Sequence, residues 1–145
     1  MHKKTRLITL VVLVLVILSA AVLWASRKPI SNKFVTKGMS FLYQEKYEEA
    51  LTNFDKAFKW YGKSAQALLG MARSEYHLSH FQKALEHVGS ALDVDSTLTD
   101  AWYYQGLLHI KNEKKEDALA DFSRVISLDS LYARAYYQRG IVRAG

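Results

Sequence analysis

The feature that most constrains this chain is a pattern that returns every 34 residues. The pair Ala50-Leu51 recurs as Ala84-Leu85 and Ala118-Leu119. Large apolar residues keep the same spacing at Phe34, Leu68, Trp102 and Tyr136. Small residues keep it at Gly38, Ala72, Gly106 and Gly140. A fixed period of this length indicates a solenoid whose units pack against their sequence neighbours.

The third unit indicates that each repeat is a pair of antiparallel helices. Trp102, Gly106 and Ile110 share one helix face, because they are spaced by four residues. A polar turn at 112–114 follows, and then a second amphipathic helix through Ala118 and Phe122. The chain is therefore predicted to be all-α, with three helix-turn-helix units at 31–64, 65–98 and 99–132. Residues 133–145 then form the first helix of a fourth unit.

Small residues occur where the two helices of a unit must approach closely. The predicted contact pairs are Gly38 with Ala50, Ala72 with Ala84, and Gly106 with Ala118. Between units, polar runs at 95–97 and 129–130 are expected to end one helix and to cap the next.

Residues 7–25 form an uncharged, mostly apolar run that precedes the repeats. Nineteen residues at 1.5 Å each span roughly the hydrocarbon thickness of a bilayer, which predicts a transmembrane helix. Residues 1–26 are accordingly predicted to be a cytoplasmic basic tip and a signal anchor. Residues 27–30 are predicted to be a short linker in which Pro29 ends the helix. The domain at 31–145 would then be held at the membrane surface.

The sequence leaves the fate and orientation of this run open. Ser19-Ala20-Ala21 is similar to a signal-peptide cleavage site, so secretion after cleavage is an alternative. Lys3, Lys4 and Arg6 precede the run while Arg27 and Lys28 follow it, which favours a cytoplasmic N-terminus. The favoured location is a bacterial inner membrane with the repeats on the extracytoplasmic side. An organelle outer membrane with cytosolic repeats is the other possibility.

The net charge of +6 belongs to the anchor and not to the repeats. Without the five basic residues that flank the apolar run, 15 Lys and Arg stand against 14 Asp and Glu, a net charge of +1. No basic stripe that could follow a phosphate backbone remains, so nucleic acid is not an expected partner. The chain has no cysteine, which excludes disulfides and thiolate chemistry.

Catalytic and metal sites are not expected either. His77, His80 and His87 lie close in sequence, but they lack an HExxH spacing and a fixed acidic ligand. The glycines follow the repeat period and form no phosphate-binding loop. No Ser-His-Asp grouping stands out. We therefore predict no enzyme activity, no metal, no cofactor and no small-molecule substrate.

The repeat resembles the tetratricopeptide repeat (TPR). The resemblance is carried by a 34-residue period with an aromatic residue, a glycine, an alanine and a second aromatic residue, as in Phe34, Gly38, Ala50 and Phe54. It covers about four fifths of the chain. In this family the first helices of successive repeats line a concave groove. The resemblance places the following residues there: Met39, Tyr43, Leu69, Arg73, His77, Tyr103, Leu107, Lys111 and Tyr137. For any one of them, packing between helices is an equally good explanation.

One family function is not expected here. TPR proteins that hold the acidic tails of cytosolic chaperones use a clamp of lysines, asparagines and an arginine. The corresponding residues in this chain are Val35, Met39, Gly70, Asp100 and Tyr104. These offer no cation to a carboxylate, and Asp100 would repel it.

The resemblance and the anchor together predict a membrane-anchored scaffold or adaptor. Its groove would bind a peptide or helix of a membrane-associated protein, as an accessory or assembly subunit of a membrane complex does. The alternative is a targeting or import-type receptor that binds client segments transiently. A stable stoichiometric partner would favour the first hypothesis, and weak binding to many amphipathic peptides the second.

Overall fold

A computed structural model describes the backbone of residues 2–144 and the side chains of residues 8–144. Lys3, Lys4 and Arg6, on which the predicted orientation depends, lie outside the described side chains. Across the described backbone there are seven helices and no strand. They are α1 (His2–Tyr43), α2 (Tyr47–Trp60), α3 (Ala65–His77), α4 (Phe81–Val94), α5 (Thr99–Lys111), α6 (Lys115–Leu128) and α7 (Ala133–Ala144).

The helices pair as the 34-residue period predicts. The second half of α1 packs on α2, α3 packs on α4 and α5 packs on α6, while α7 covers the open side of α6. Each unit also contacts the next, through α2 with α3 and α4 with α5. The predicted helix-turn-helix solenoid of three repeats and a terminal helix is confirmed for the described residues.

Two phenylalanine rings fill the space between the paired helices. A Cβ atom added at Gly38 would lie 2.8 Å from the ring of Phe54, and one at Gly70 would lie 2.4 Å from the same ring. Gly106 bears the same relation to Phe122, at 2.7 Å. Both rings are completely buried. The glycines therefore let each ring contact the opposite helix backbone, and Phe54 joins α1, α2 and α3.

The turns inside the repeats share one conformation. Glu45, Ser79 and Glu113, each 34 residues from the next, have φ near +60°. In the third turn the Lys114 N–H donates to the carbonyl of His109 at 2.9 Å, which closes the end of α5. The period in the sequence thus extends to single backbone angles.

The turns between repeats differ from the expectation in one respect. The side chain of Asp95 accepts a hydrogen bond from the backbone N–H of Thr97 at 2.9 Å, and Asp129 does the same for Leu131. These acids fold the turn itself, while α5 begins after Leu98 without a side-chain cap. The predicted cap at 95–97 is therefore wrong, because the polar side chains bond within their own loop.

The predicted helix break at Pro29 is also wrong. Helix α1 runs from His2 to Tyr43 with Pro29 inside it. Proline removes the donor that would bond the carbonyl of Ala25, but a break would leave several unpaired groups at two new helix ends. On the far side of Pro29, the Ser31 hydroxyl donates to the Ala57 carbonyl at 2.8 Å and fixes α1 to α2. The linker at 27–30 is therefore helical, and packing begins at Ile30 and Ser31.

Repeats two and three each have a histidine bonded to a carboxylate between their two helices. The histidine lies on the second helix in repeat two and on the first helix in repeat three. In the second repeat, Nδ1 of His87 on α4 lies 2.7 Å from Oε2 of Glu75 on α3. In the third, Nδ1 of His109 on α5 lies 2.7 Å from Oδ2 of Asp121 on α6. Glu75 and Asp121 are buried, so the imidazole in each pair supplies a partner that a lone carboxylate would lack.

We predict that filling the contact at Gly70 destabilises the domain. Gly70→Ala should lower the free energy of unfolding by about 1–3 kcal/mol, because Phe54 has no space to move. The matched control is Gly89→Ala within α4, where a Cβ would meet nothing within 4 Å. That change should stabilise the chain by up to about 1 kcal/mol. Urea unfolding followed by circular dichroism measures both. Equal effects would contradict the packing described for Phe54.

We predict that the His87–Glu75 pair makes stability depend on pH. The hydrogen bond to Glu75 raises the pKa of His87 more than burial lowers it. The folded chain therefore holds this proton more tightly than the unfolded chain. The contribution is complete below the ordinary histidine pKa of about 6.5 and is lost as pH rises through the raised value. His87→Gln should remove this part of the pH profile, whereas His80→Gln, at an exposed position, should retain it.

The measurement is the urea midpoint between about pH 5 and about pH 9. Burial raises the pKa of Asp121 to about 6, so that carboxyl changes stability in a separate window between about pH 4 and about pH 6. Above pH 6.5 the difference between the chain and its His87→Gln variant should therefore report His87. A constant difference across that range would refute the assignment.

Candidate partner-binding groove

The first helices of the repeats share one face, and a cavity of about 360 Å³ lies on it. Its wall includes Met39 of α1, Leu69 and Arg73 of α3, and Asp100 of α5. Tyr132, just before α7, closes the wall. Three repeats and the terminal turn thus contribute to one concave surface.

The nine predicted groove residues differ in their exposure. Four are exposed: Tyr43, His77, Lys111 and Tyr137. Three are half-buried: Met39, Arg73 and Leu107. The remaining two, Leu69 and Tyr103, are only 4% and 7% exposed and belong to the core clusters. Leu69 still borders the cavity, whereas Tyr103 packs against Phe122 with ring centres 5.9 Å apart. Partner contact by these residues stays a prediction.

Arg73 is the cation at the centre of this surface. Its guanidinium carbon lies 5.5 Å from the centre of the Tyr104 ring, which holds the side chain in place. Its Nε is buried and has no hydrogen-bond partner within the described part of the chain. Because Nε is closed off, a carbonyl or carboxylate of a bound segment could be met only by the rest of this half-buried guanidinium group.

Aromatic rings flank this cation on the α3 side. The ring of His77 stacks on Tyr47 with a centroid distance of 4.5 Å. Partial burial lowers the pKa of His77, and the charge of Arg73 lowers it further. His77 is therefore a neutral, flat ring at neutral pH. Nζ of Lys111 lies 5.6 Å from the centre of the Phe81 ring, so its charge is also placed over an aromatic face.

A hydrogen bond that sequence reasoning missed closes the far end of the cavity. The Tyr132 hydroxyl donates to Oδ1 of Asp100 at 2.7 Å. Burial and this acceptor both raise the pKa of Tyr132, so the hydroxyl remains a donor at physiological pH. The two residues are 32 positions apart, and neither belongs to the recurring pattern. They meet only because the third repeat stacks against the turn before α7.

The described residues contain no group of three or more His, Cys, Asp or Glu that could hold a metal ion. His77 and His80 are exposed, while His87 bonds Glu75 inside the second repeat. The three histidines therefore do not converge. The chemistry available in the groove is that of recognition: aromatic and apolar contact, two cations and one tyrosine-bound carboxylate.

The sequence matches the tetratricopeptide-repeat family over residues 35–96 and 69–133. The chain is a tetratricopeptide-repeat protein. The match spans the three repeats that the 34-residue period predicts, so the family resemblance is confirmed. A comparison with curated protein sequences gives no significant match.

Several solved TPR structures share this fold. The first TPR of Spaghetti (RPAP3) bound to the HSP90 peptide SRMEEVD has a TM-score of 0.77 and 20% identity, covering 81% of this chain and 93% of that one. The Arabidopsis OM64 TPR domain has a TM-score of 0.78 and 20% identity, covering 81% and 98%. MamA has a TM-score of 0.73 and 19% identity, covering 81% and 70%. At this identity the similarity concerns the fold, and TPR domains typically serve as interaction scaffolds.

We predict that the Tyr132–Asp100 bond stabilises the last repeat. Tyr132→Phe should lower the free energy of unfolding by about 1 kcal/mol, because the half-buried Asp100 loses its donor. Tyr137→Phe removes a hydroxyl from a tyrosine that is 68% exposed, and should leave stability unchanged. Thermal unfolding of both variants beside the parent chain measures the difference. Equal melting temperatures in all three would show that the bond contributes nothing.

Proposed function

We propose that this TPR protein is a single-pass membrane-anchored scaffold that binds a segment of another membrane-associated protein in its concave groove. The observation that carries the proposal is that one continuous helix, α1, contains both the apolar segment and the first helix of the first repeat. Its residues 8–25 are mostly apolar and exposed, and its second half is the first helix of the first repeat.

The first half of α1 supports the anchor. One helix of the described residues is long and apolar enough to cross a membrane, and its apolar window has no buried residue. Exposure of the large apolar side chains from Ile8 to Trp24 runs from 45% at Val14 to 72% at Trp24. An apolar surface of this extent is rarely left in water, and a bilayer would cover it. We infer a bacterial inner membrane with the repeats on the extracytoplasmic side.

The groove supports binding of a peptide or helix. Tyr43 on α1 and Tyr137 on α7, the first and last helices of the row, are exposed, and the half-buried Arg73 on α3 lines the cavity. Rings with few rotatable bonds lose little entropy on binding, and aromatic and arginine residues dominate many binding interfaces. TPR domains bind protein segments, and the RPAP3 domain is bound to a peptide. We therefore infer a protein partner, with neither nucleic acid nor a small-molecule substrate.

The test of the groove is a co-purification from detergent-solubilised membranes. The variant Lys111→Glu with Tyr137→Ala changes two exposed groove positions and spares the core. We expect partner recovery to fall at least about tenfold, which corresponds to about 1.4 kcal/mol. The control Lys83→Glu with Val94→Ala makes a charge reversal and a truncation at exposed positions of α4 that do not line the cavity, and it should retain the partner. Loss in both variants, or in neither, would contradict the groove assignment.

The same experiment separates the adaptor from a receptor that samples many clients. One membrane protein recovered in fixed ratio to the chain would establish the adaptor. Weak recovery of many amphipathic segments would favour the receptor. Recovery of the intact chain in the soluble fraction would refute the anchor.

A further inference from the structure

We propose that the turn from Trp60 to Lys63 docks on the headgroup layer of the membrane that α1 crosses and favours anionic phospholipid. This inference rests on the proposed membrane anchor. It assigns a second contact with the bilayer and fixes how the solenoid stands on it.

The turn lies beside the end of the apolar run. Trp24 of α1 and Trp60 of α2 line one cavity of about 330 Å³, together with Arg27, Lys59 and Lys63. Trp24 is 72% exposed and Trp60 is 45% exposed. Two neighbouring indole rings, one largely exposed and one about half exposed, match the preference of tryptophan for the membrane–water interface.

The position of this cavity along α1 agrees with interface depth. Trp24 ends the apolar run, and Arg27 follows about 4.5 Å further along the helix axis. Because α1 continues through Pro29, the first repeat cannot rotate freely about a flexible linker. Helix α2 runs back antiparallel to α1, so its end at Trp60 returns to the level of Trp24.

The other repeats lack these residues at the equivalent turn. Where the first repeat has Tyr61, the second and third have Asp95 and Asp129, whose carboxylates bond the backbone two residues on. The equivalents of Trp60 are Val94 and Leu128. The equivalents of Lys63 are Thr97 and Leu131. At the turn beside Trp24, the first repeat therefore has aromatic and basic residues, whereas the other two repeats have an acidic turn residue.

The basic residues around this turn decide which lipid headgroups it favours. Arg27, Lys28, Lys59 and Lys63 gather around the cavity and the pocket that adjoins it. Two acids stand near them: Asp55 lies 2.6 Å from Nζ of Lys59, and Asp95 borders the adjoining pocket. The surface remains positive, and each basic residue close to an anionic bilayer favours docking by about fivefold.

The test uses the full chain in lipid vesicles and the fluorescence of single tryptophans. The chain with Trp24→Phe and Trp102→Phe reports Trp60 alone, and the chain with Trp60→Phe and Trp102→Phe reports Trp24 alone. Vesicles are made of phosphatidylcholine, with or without phosphatidylglycerol, and carry bromine at a shallow acyl position. We expect both tryptophans to be quenched by bromine, with Trp60 quenched more strongly in the anionic vesicles. Aqueous acrylamide should quench Trp60 less in vesicles than in detergent.

A charge reversal checks the basic residues. Lys59→Glu with Lys63→Glu should raise acrylamide quenching of Trp60 and lower its bromine quenching, toward the undocked state. The matched control, Lys114→Glu with Lys115→Glu, reverses two exposed lysines at the opposite ends of the helices and should change neither.

The outcomes separate this proposal from the anchor. Quenching of Trp24 by bromine without quenching of Trp60 would leave the anchor in place and overturn the docking. Failure to quench either ring would refute the anchor and the docking together. Equal quenching of Trp60 in neutral and anionic vesicles would overturn the preference for anionic phospholipid.

Discussion

The structure depends on the close approach of two helix backbones with one aromatic ring between them. Phe54 contacts Gly38 in its own repeat and Gly70 in the next, so a single side chain fixes the spacing of three helices. Phe122 fixes the spacing of α5 and α6 through Gly106. Because the rings are fully buried and the glycines have no side chain, neither partner can be enlarged without moving a helix. These contacts therefore contribute to the angle between successive repeats, and with it to the groove.

The same packing decides how the apolar end of α1 is held. The second half of α1 is held in the solenoid by the bond from Ser31 to Ala57 and by the cluster that Leu42 forms with Ala50, Phe54 and Met71. A helix held at one end and apolar at the other transmits its orientation past Pro29. If α1 crosses a membrane as proposed, this continuity would orient the repeat domain, which a flexible linker would not do. The proposed scaffold and the proposed docking of the turn at 60–63 both depend on the continuity of α1 through Pro29.

Sequence periodicity predicted the helices and the core, because both depend on which side chains face inward every 3.6 residues. It could not predict whether α1 breaks at Pro29, since a proline can end a helix or be tolerated inside one. It predicted Tyr103 and Leu69 as groove residues; the structure buries both, although Leu69 still borders the cavity, because a helix position between two neighbours faces groove and core at once. The exchanged pairs Glu75–His87 and His109–Asp121 could have been found by aligning the repeats, as each joins equivalent positions.

The sequence by itself determined the repeat length, the fold class, the paired small residues and the apolar run, since these are local patterns set by residue size and polarity. Tertiary structure alone decided which groups remain unpaired or meet across repeats. This class contains the unpaired, buried Nε of Arg73, the bond from Tyr132 to Asp100 and the adjacency of Trp24 and Trp60. Each depends on the angle at which one repeat stacks on the next. That angle results from the summed packing of many side chains, and no short stretch of the sequence encodes it.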